Sequence, residues 1–169
     1  AVRYVAEQSN PMKIALRTER LNIIAREQAK DPAVRIAYAA KHAGIANAWK
    51  KWQGESLGLQ RLNTVAQKQD YERQFAAWAA SQPAHASLLD SMRHAHATTI
   101  PHYYARELFN ETVVGIEAYD YVRNLLKAYS QTDVQKRNEA LQKISQAFLA
   151  NYRKNIDREL AHFLFGEYL

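Results

Sequence analysis

Apolar side chains recur along this chain at intervals of three and four residues, and no stretch alternates apolar and polar positions as a half-buried strand would. The clearest stripe, Ile156, Leu160, Phe163 and Leu164, lies near the end of the sequence. The pattern predicts an all-α fold, a bundle of about six long, mostly antiparallel helices. We predict these helices at roughly 11–29, 32–81, 84–97, 101–130, 132–151 and 155–169, after a short helix at 2–8.

The few helix-breaking residues refine these boundaries. Only 5 glycines and 4 prolines interrupt the chain. Asn10-Pro11 and Asp31-Pro32 each place a capping side chain before a proline, which predicts that helices start there. Pro83 and Pro101 are predicted to close one helix and open the next. The segment 32–81 is expected to bend or break near its glycines.

Length, composition and charge limit the classes of protein to which this chain can belong. The 169 residues suit a single helical domain, 1–169. No apolar run approaches the roughly 20 residues of a membrane span, and no signal peptide is visible. The absence of cysteine excludes disulfides and thiolate metal sites. The net charge of +6 is scattered, with basic pairs at most, so we predict no nucleic-acid binding.

One serine motif matches a catalytic pattern without its context. Gly54-Glu55-Ser56-Leu57-Gly58 fits the G-x-S-x-G of a nucleophile elbow, which requires a strand before the serine. The preceding residues continue a helical pattern instead. We therefore predict no catalytic residue in this chain.

The six histidines do not form a metal-binding pattern. His94, His96 and His102 are the closest set, but residues two apart on a helix point about 200° from each other and cannot share an ion. No His-x-x-x-His or Glu-x-x-His spacing occurs. We predict no metal and no cofactor, and interpret these side chains as solvated or capping.

The segment from Asp31 to Leu62 carries two stripes when wound as one helix. An apolar stripe, predicted to face the core, comprises Tyr38, Ile45, Trp49, Trp52 and Leu59. A second stripe, turned by roughly 140°, comprises Gly44, Asn47, Lys51, Gly54 and Gly58. Each glycine costs a helix about 1 kcal/mol relative to alanine, so something must approach this face closely. The pattern leaves two explanations open: another helix, or a ligand chain near Asn47.

The same segment resembles the helical domain of the bacterial dipeptidyl peptidases of the 7 and 11 type. The resemblance lies in Asp31-Pro32, Val34-Arg35-Ile36, Tyr38-Ala39, Lys41, Ala43-Gly44, Asn47, Trp49-Lys50 and Gly54. A weaker match covers Asn151-Tyr152, Asp157 and the closing helix, whereas residues 63–145 match only in helical character. Ala48 and His42 depart from the tyrosine and the aromatic residue that family members often carry, which leaves the subsite preference open.

The resemblance implies a function for the domain. In that family a chymotrypsin-like double barrel carries the Ser-His-Asp triad and removes dipeptides from free N-termini, while the helical insertion covers the cleft. An asparagine of the insertion contacts the substrate ammonium, and the motif places it at Asn47, with Gly44, Lys51 and Gly54 beside it in the predicted substrate-binding set. The resemblance implies that residues 1–169 are an insertion excised from a larger serine peptidase, so that the chain alone is no enzyme although its parent is a serine-type peptidase.

The expected partners are a peptide N-terminus and the catalytic barrel of the same parent chain. The resemblance also implies a parent exported to the periplasm or cell surface of a Gram-negative bacterium, with a homodimer as one possible assembly. Two alternatives remain: a stand-alone helical module that binds a partner through an apolar groove, and a basic nucleic-acid-binding bundle.

Overall fold

The computed structural model describes residues 2–169, and all the regular structure in this range is helical. After a first turn, α1 (Val2–Tyr4), and a π-helical turn (Val5–Ser9) come seven long helices: α2 (Asn10–Lys30), α3 (Pro32–Arg61), α4 (Thr64–Ala79), α5 (Leu88–Glu111), α6 (Glu117–Tyr129), α7 (Val134–Asn151) and α8 (Lys154–Tyr168). The all-α prediction is confirmed, with seven long helices in place of about six. Within the described range, none of the helices combines the length and apolarity needed to cross a membrane.

The chain forms two compact units. The first comprises residues 1–14 and 49–108, and the second comprises residues 15–48 and 109–169. Most of the buried apolar side chains belong to the second unit: Leu16, Ile23, Ile24, Val34, Tyr38, Val113, Ile116, Ala128, Ile156, Leu160 and Leu164. The second unit therefore contains the main hydrophobic core.

The α-helix predicted to start at Asn10-Pro11 does begin at Asn10, but a π-helical turn already precedes it, so the predicted capping role of Asn10 is wrong. The π-helical turn shifts the hydrogen-bond register, and the Asn10 N–H donates to the Val5 carbonyl. The Asn10 side chain is buried and donates to Glu55 Oε2 at 3.1 Å and to Ser56 Oγ at 3.3 Å. It bonds across the first unit and is not a helix cap. By contrast, Asp31 caps α3 as predicted, accepting from the Ala33 N–H at 2.7 Å.

The break in the predicted 32–81 segment falls after the glycines. Helix α3 runs through Gly44, Gly54 and Gly58 to Arg61, and Asn63 ends it in the left-handed conformation, with φ 49° and ψ 39°. Asparagine tolerates that region better than other residues that carry a side chain. The local cost of Asn63 is thus smaller than that of most replacements, and the helical glycines remain in regular geometry.

The break predicted before Pro101 is also displaced. Helix α5 continues through Pro101, where the surrounding residues are exposed and water can reach the carbonyl that the proline leaves unbonded. The chain breaks instead between Glu111 and Glu117, where three β-branched residues are followed by Gly115 and Ile116. Gly115 donates to the Thr112 carbonyl at 3.1 Å, which closes the turn.

Helices α6 and α7 pair as a hairpin in the second unit. The rings of Tyr121 and Phe148 stack across it with centroids 4.0 Å apart, and Tyr152 extends the stack at 4.3 Å from Phe148. Asp133 caps α7 by accepting from the Lys136 N–H at 3.0 Å. These contacts hold α7 against α6. The two helices form one side of the cleft described below.

Candidate functional site

The stripe of small and polar residues predicted on α3 faces outward. Gly44, Asn47, Lys51 and Gly54 are all exposed. A Cβ atom built on Gly44, Gly54 or Gly58 would meet no other atom within 4 Å. No described part of the chain packs closely on these glycines, so the explanation by internal helix packing is not supported.

The opposite face of α3 is the predicted core face, and its orientation is confirmed. Tyr38 is completely buried in the second unit, and Ile45 is half-buried there. Farther along the helix, in the first unit, Trp49, Trp52 and Leu59 are half-buried. Lys13 Nζ lies 5.2 Å from the centroid of the Trp52 ring. The tryptophans thus contribute to packing, as the sequence predicts.

A cleft of about 620 Å³ opens in the second unit. Five helices line it: α2, α3, α6, α7 and α8. Its apolar wall includes Ile24, Ile45, Ile144, Phe148 and Leu160, and its charged groups are Arg17, Arg20, Lys41, Glu117 and Asp120. Gly44 lies in its wall, whereas Asn47 is not among the lining residues. The volume and the mostly apolar lining are those of a small-molecule site.

Most charges around the cleft are paired within the unit. Arg17 donates to both oxygens of Glu111, at 2.8 and 2.9 Å. Lys41 Nζ lies 2.5 Å from Glu117 Oε2 and 4.2 Å from the centroid of the Tyr38 ring. Burial of the Tyr38 hydroxyl and the neighbouring Glu117 carboxylate raise the pKa of Tyr38 well above its usual range.

Arg20 is the exception. Its side chain is 11% exposed, and burial lowers the pKa of the guanidinium. Nη2 donates a long hydrogen bond of 3.3 Å to the Gly115 carbonyl, Nη1 lies 3.8 Å from Glu111 Oε2, and Nε has no hydrogen-bond partner among the described residues. A buried guanidinium with so few short contacts is unusual, because buried donors are nearly always satisfied.

A buried carboxylate positions α6 beside the cleft. Asp157 is 2% exposed and accepts from the backbone N–H groups of Glu117 and Ala118, at 2.7 and 2.9 Å. It therefore occupies the N-terminus of α6 from another helix, where the helix dipole favours negative charge. This arrangement fixes Glu117, and with it the ion pair to Lys41.

The first unit contains a separate polar cluster. Glu107 accepts from Lys13 Nζ at 2.6 Å and from the Tyr4 hydroxyl at 2.6 Å. Burial opposes ionisation of Glu107, but the hydrogen bonds from Lys13, Tyr4 and Ser9 outweigh it and lower the pKa of Glu107. The cluster ties the N-terminal turns to α5 and keeps Glu107 ionised at neutral pH.

The serine and histidine residues that were considered as catalytic or metal-binding candidates do not form such a site among the described residues. Ser56 accepts from Asn10 Nδ2 within helix α3, without a strand or sharp turn before it. His94, His96 and His102 are all exposed on α5. Among the described residues, no group of three or more histidine, aspartate or glutamate side chains could hold a metal ion.

Sequence reasoning assigned no role to Arg20 or Glu111, and it named Asp157 only as part of the weaker family match. The ion pairs of Arg17 and Arg20 with Glu111 join residues more than 90 positions apart, and Asp157 caps a helix 40 residues earlier. Helical periodicity reports neighbours three and four residues apart and carries no signal for such contacts. The run of β-branched residues before Gly115 is a local signal of a break, which the predicted helix 101–130 overlooked.

The family model and the similar proteins that match this chain point to the same family. The Peptidase S46 family model matches residues 1–169. The chain is 31% identical over 179 residues to an Asp/Glu-specific dipeptidyl-peptidase of Flavobacterium psychrophilum, covering 99% of this chain and 25% of that protein. It is 27% identical over 186 residues to an Asp/Glu-specific dipeptidyl-peptidase of Capnocytophaga gingivalis (92% and 26%). It is 39% identical over 72 residues to dipeptidyl-peptidase 7 of Porphyromonas gingivalis (43% and 10%). The chain therefore spans about a quarter of the first two relatives.

Proposed function

Because this chain belongs to the peptidase S46 family, we propose that it is the helical lid and substrate-recognition domain of a bacterial dipeptidyl peptidase. Its relatives are named for dipeptidyl-peptidase activity, and it corresponds to about a quarter of their length. We assign the chemical step to the remainder of the parent, a serine-type barrel by resemblance. The domain covers the active-site cleft and binds the N-terminal ammonium of the peptide.

The observation that carries this proposal is the open outer face of α3. Gly44 and Gly54 have free space where a side chain would stand, and Asn47 lies exposed between them. Each glycine costs this helix about 1 kcal/mol relative to alanine, and no described residue occupies the space. A peptide chain approaching the backbone would account for this loss of stability.

The chemistry of Asn47 suits an ammonium ligand. A substrate ammonium has three donors and no acceptor, and the amide oxygen of Asn47 can accept from it without adding a second buried charge. Lys51 follows one turn later, about 6 Å along the helix, and can donate to a carbonyl or carboxylate oxygen of the same peptide. Fixing the amine two residues from the scissile bond limits the product to a dipeptide.

Closure of the domain supplies the second part of the function. A lid that closes over a bound peptide excludes water and aligns the scissile bond with the nucleophile, and such closure can limit turnover. Binding of the ammonium then favours the closed state, because the contact forms only when the lid has closed. A peptide with a blocked N-terminus cannot form this contact, so it does not favour the closed state.

The test uses the full-length parent and one peptide with a free or an acetylated N-terminus, with dipeptide release followed by mass spectrometry. We expect sequential dipeptides from the free peptide only. A hydrogen bond to a charged group contributes about 1.5–3 kcal/mol, so Asn47→Ala lowers kcat/KM by roughly 10- to 150-fold. The matched control is Asn138→Ala, an exposed asparagine on α7, which leaves the rate unchanged. Equal cleavage of both peptides, or full activity of Asn47→Ala, contradicts the proposal.

The location and assembly of the parent follow from the same assignment. We propose export to the periplasm or cell surface of a Gram-negative bacterium, with a homodimer as the assembly to test. Fractionation of cells producing the full-length protein and its mass in solution measure the two properties directly. Recovery in the cytosolic fraction contradicts the export proposal.

A second candidate function, docking of a partner helix, is favoured by one observation on α6. Its exposed stripe Tyr119, Val122, Leu126 and Tyr129 repeats at intervals of three, four and three residues, with exposed fractions from 37% to 67%. This is the spacing of a coiled-coil seam. Leu126→Glu in the full-length protein then weakens association with the partner, whereas Asn138→Ala leaves it intact.

A further inference from the structure

The cleft of the second unit contains a cation whose hydrogen-bonding capacity is largely unused. A guanidinium has five N–H donors. Among the described residues, Arg20 uses one of them for the 3.3 Å contact to the Gly115 carbonyl. Nε has no partner but is shielded from solvent, so the donors open to a ligand are those of Nη1 and Nη2. Its nearest carboxylate oxygen is 3.8 Å away, beyond a normal hydrogen bond. Arg20 nevertheless lines the cleft and is 11% exposed.

The surrounding carboxylates are already bound to other groups. Glu111 accepts both of its short hydrogen bonds from Arg17, and Glu117 pairs with Lys41 at 2.5 Å. Asp120 pairs with Arg123 at 2.5 Å. Asp157 is bound to the N-terminus of α6. Among the charged residues that line the cleft, Arg20 is therefore the cation without a short carboxylate contact, and its burial strengthens an ion pair with a bound anion.

Most of the other residues of the cleft wall are apolar, and they indicate that the part of the ligand outside its charged group is apolar. Ile24, Ile45 and Leu160 contribute aliphatic surface, and Tyr121 and Phe148 contribute the stacked rings of the α6–α7 hairpin. The volume of about 620 Å³ accommodates an amino acid or dipeptide with an aromatic side chain. A carboxylate suits a guanidinium edge because both are planar and can form two parallel hydrogen bonds.

From these observations we propose that the cleft binds a monocarboxylate with an apolar body, its carboxylate on Arg20 and its side chain against Phe148 and Ile45. Asn47, to which the ammonium contact is assigned, does not line the cleft, although Gly44 of the predicted substrate-binding set lies in its wall. The cleft would let the parent bind a carboxylate ligand in its helical domain. The proposal stands or falls independently of the lid function.

The test measures binding of N-acetyl-L-phenylalanine and of its neutral amide to the full-length protein by calorimetry and ligand-observed NMR. The affinity that drug-sized ligands reach per heavy atom gives an expected Kd of about 0.5 mM for the acid. The amide binds at least about tenfold more weakly, because it cannot form the ion pair with Arg20. Equal affinity for the acid and the amide overturns the proposal, as does no detectable binding of the acid at about 5 mM.

Two matched variants locate the site. Ala147 is exposed on α7 and lines the cleft, whereas Ala150 is exposed on the same helix outside the lining. Ala147→Phe fills the cleft and abolishes binding of the acid, and Ala150→Phe retains it. Arg20→Met removes the preference for the acid over the amide. If the Arg20→Met protein does not fold, the comparison of Ala147→Phe with Ala150→Phe is sufficient to test the site. Binding unchanged in Ala147→Phe places the ligand elsewhere, including at the catalytic site, and overturns the proposal.

Discussion

Gly115 and Gly44 should respond oppositely to the same substitution. A Cβ on Gly115 would lie 2.8 Å from the Glu111 carbonyl oxygen and 3.1 Å from Arg20 Cζ and Nη1. These separations are shorter than the roughly 3.5 Å of a favourable contact. The oxygen belongs to the backbone at the end of α5 and cannot move without shifting the helix. A Cβ on Gly44 meets nothing within 4 Å.

The magnitudes follow from those distances. Overpacking of a tight site destabilises a protein by about 1–3 kcal/mol, and contact with a backbone atom places Gly115→Ala near 2 kcal/mol. Gly44→Ala removes a helical glycine without a clash and stabilises by about 0.5–1 kcal/mol. For a chain of this length, Gly115→Ala lowers Tm by about 4–8 °C, and Gly44→Ala raises it by about 1–4 °C.

The assay is thermal and urea unfolding of the purified 169-residue chain followed by far-UV circular dichroism. The two variants differ by one methyl group each, so the comparison isolates the packing around that methyl. Gly115→Ala within 0.5 kcal/mol of the wild type would refute the close approach of the backbone to Arg20. A Gly44→Ala variant as unstable as Gly115→Ala would show that α3 is covered.

Three further predictions concern the polar groups. Asp157→Ala removes two buried hydrogen bonds to α6 and should destabilise by about 2–4 kcal/mol in urea unfolding, with a smaller loss for Asp157→Asn. The folded-state pKa of Glu107 is lowered, so its stabilisation is complete above the unfolded value near 4.5 and disappears as pH falls through the folded pKa. Below about pH 5, therefore, wild-type stability should fall more steeply than that of Glu107→Gln; parallel curves would contradict this. Ser56→Ala should leave the peptidase activity of the parent unchanged, since Ser56 lies within the regular helix α3 and accepts a hydrogen bond from Asn10.

Local sequence patterns predicted the elements that depend on near neighbours. The two faces of α3 and the Asp31 cap rest on spacings of up to a few residues, and both are found in the structure. The same reasoning failed at Asn10 and Pro101. Asn10 bonds across its unit to Glu55 and Ser56, and Pro101 lies on an exposed stretch where the carbonyl that it leaves unbonded is open to solvent. Tertiary partners and solvent access decided these positions.

The candidate site was predictable only in part, for the same reason. Gly44 and Asn47 could be assigned to one helix face from their spacing. Arg20 could not be identified, since its importance depends on which carboxylates are already bound to Arg17 and Lys41. The charged residues that line the cleft come from three separate helices, α2, α3 and α6.

The open glycines of α3 allow stability and function to be separated. Gly44→Ala and Gly54→Ala each raise the stability of the chain if their faces are open, as the free space around them indicates. If a peptide also approaches that face, the same variants lower kcat/KM of the full-length parent. Gly166 on α8 is the control, because its Cβ also meets nothing within 4 Å and it lies off α3. Gly166→Ala should be stabilising without loss of activity. If all three variants are stabilised and fully active, the glycines of α3 do not serve peptide approach and the proposed binding face is wrong.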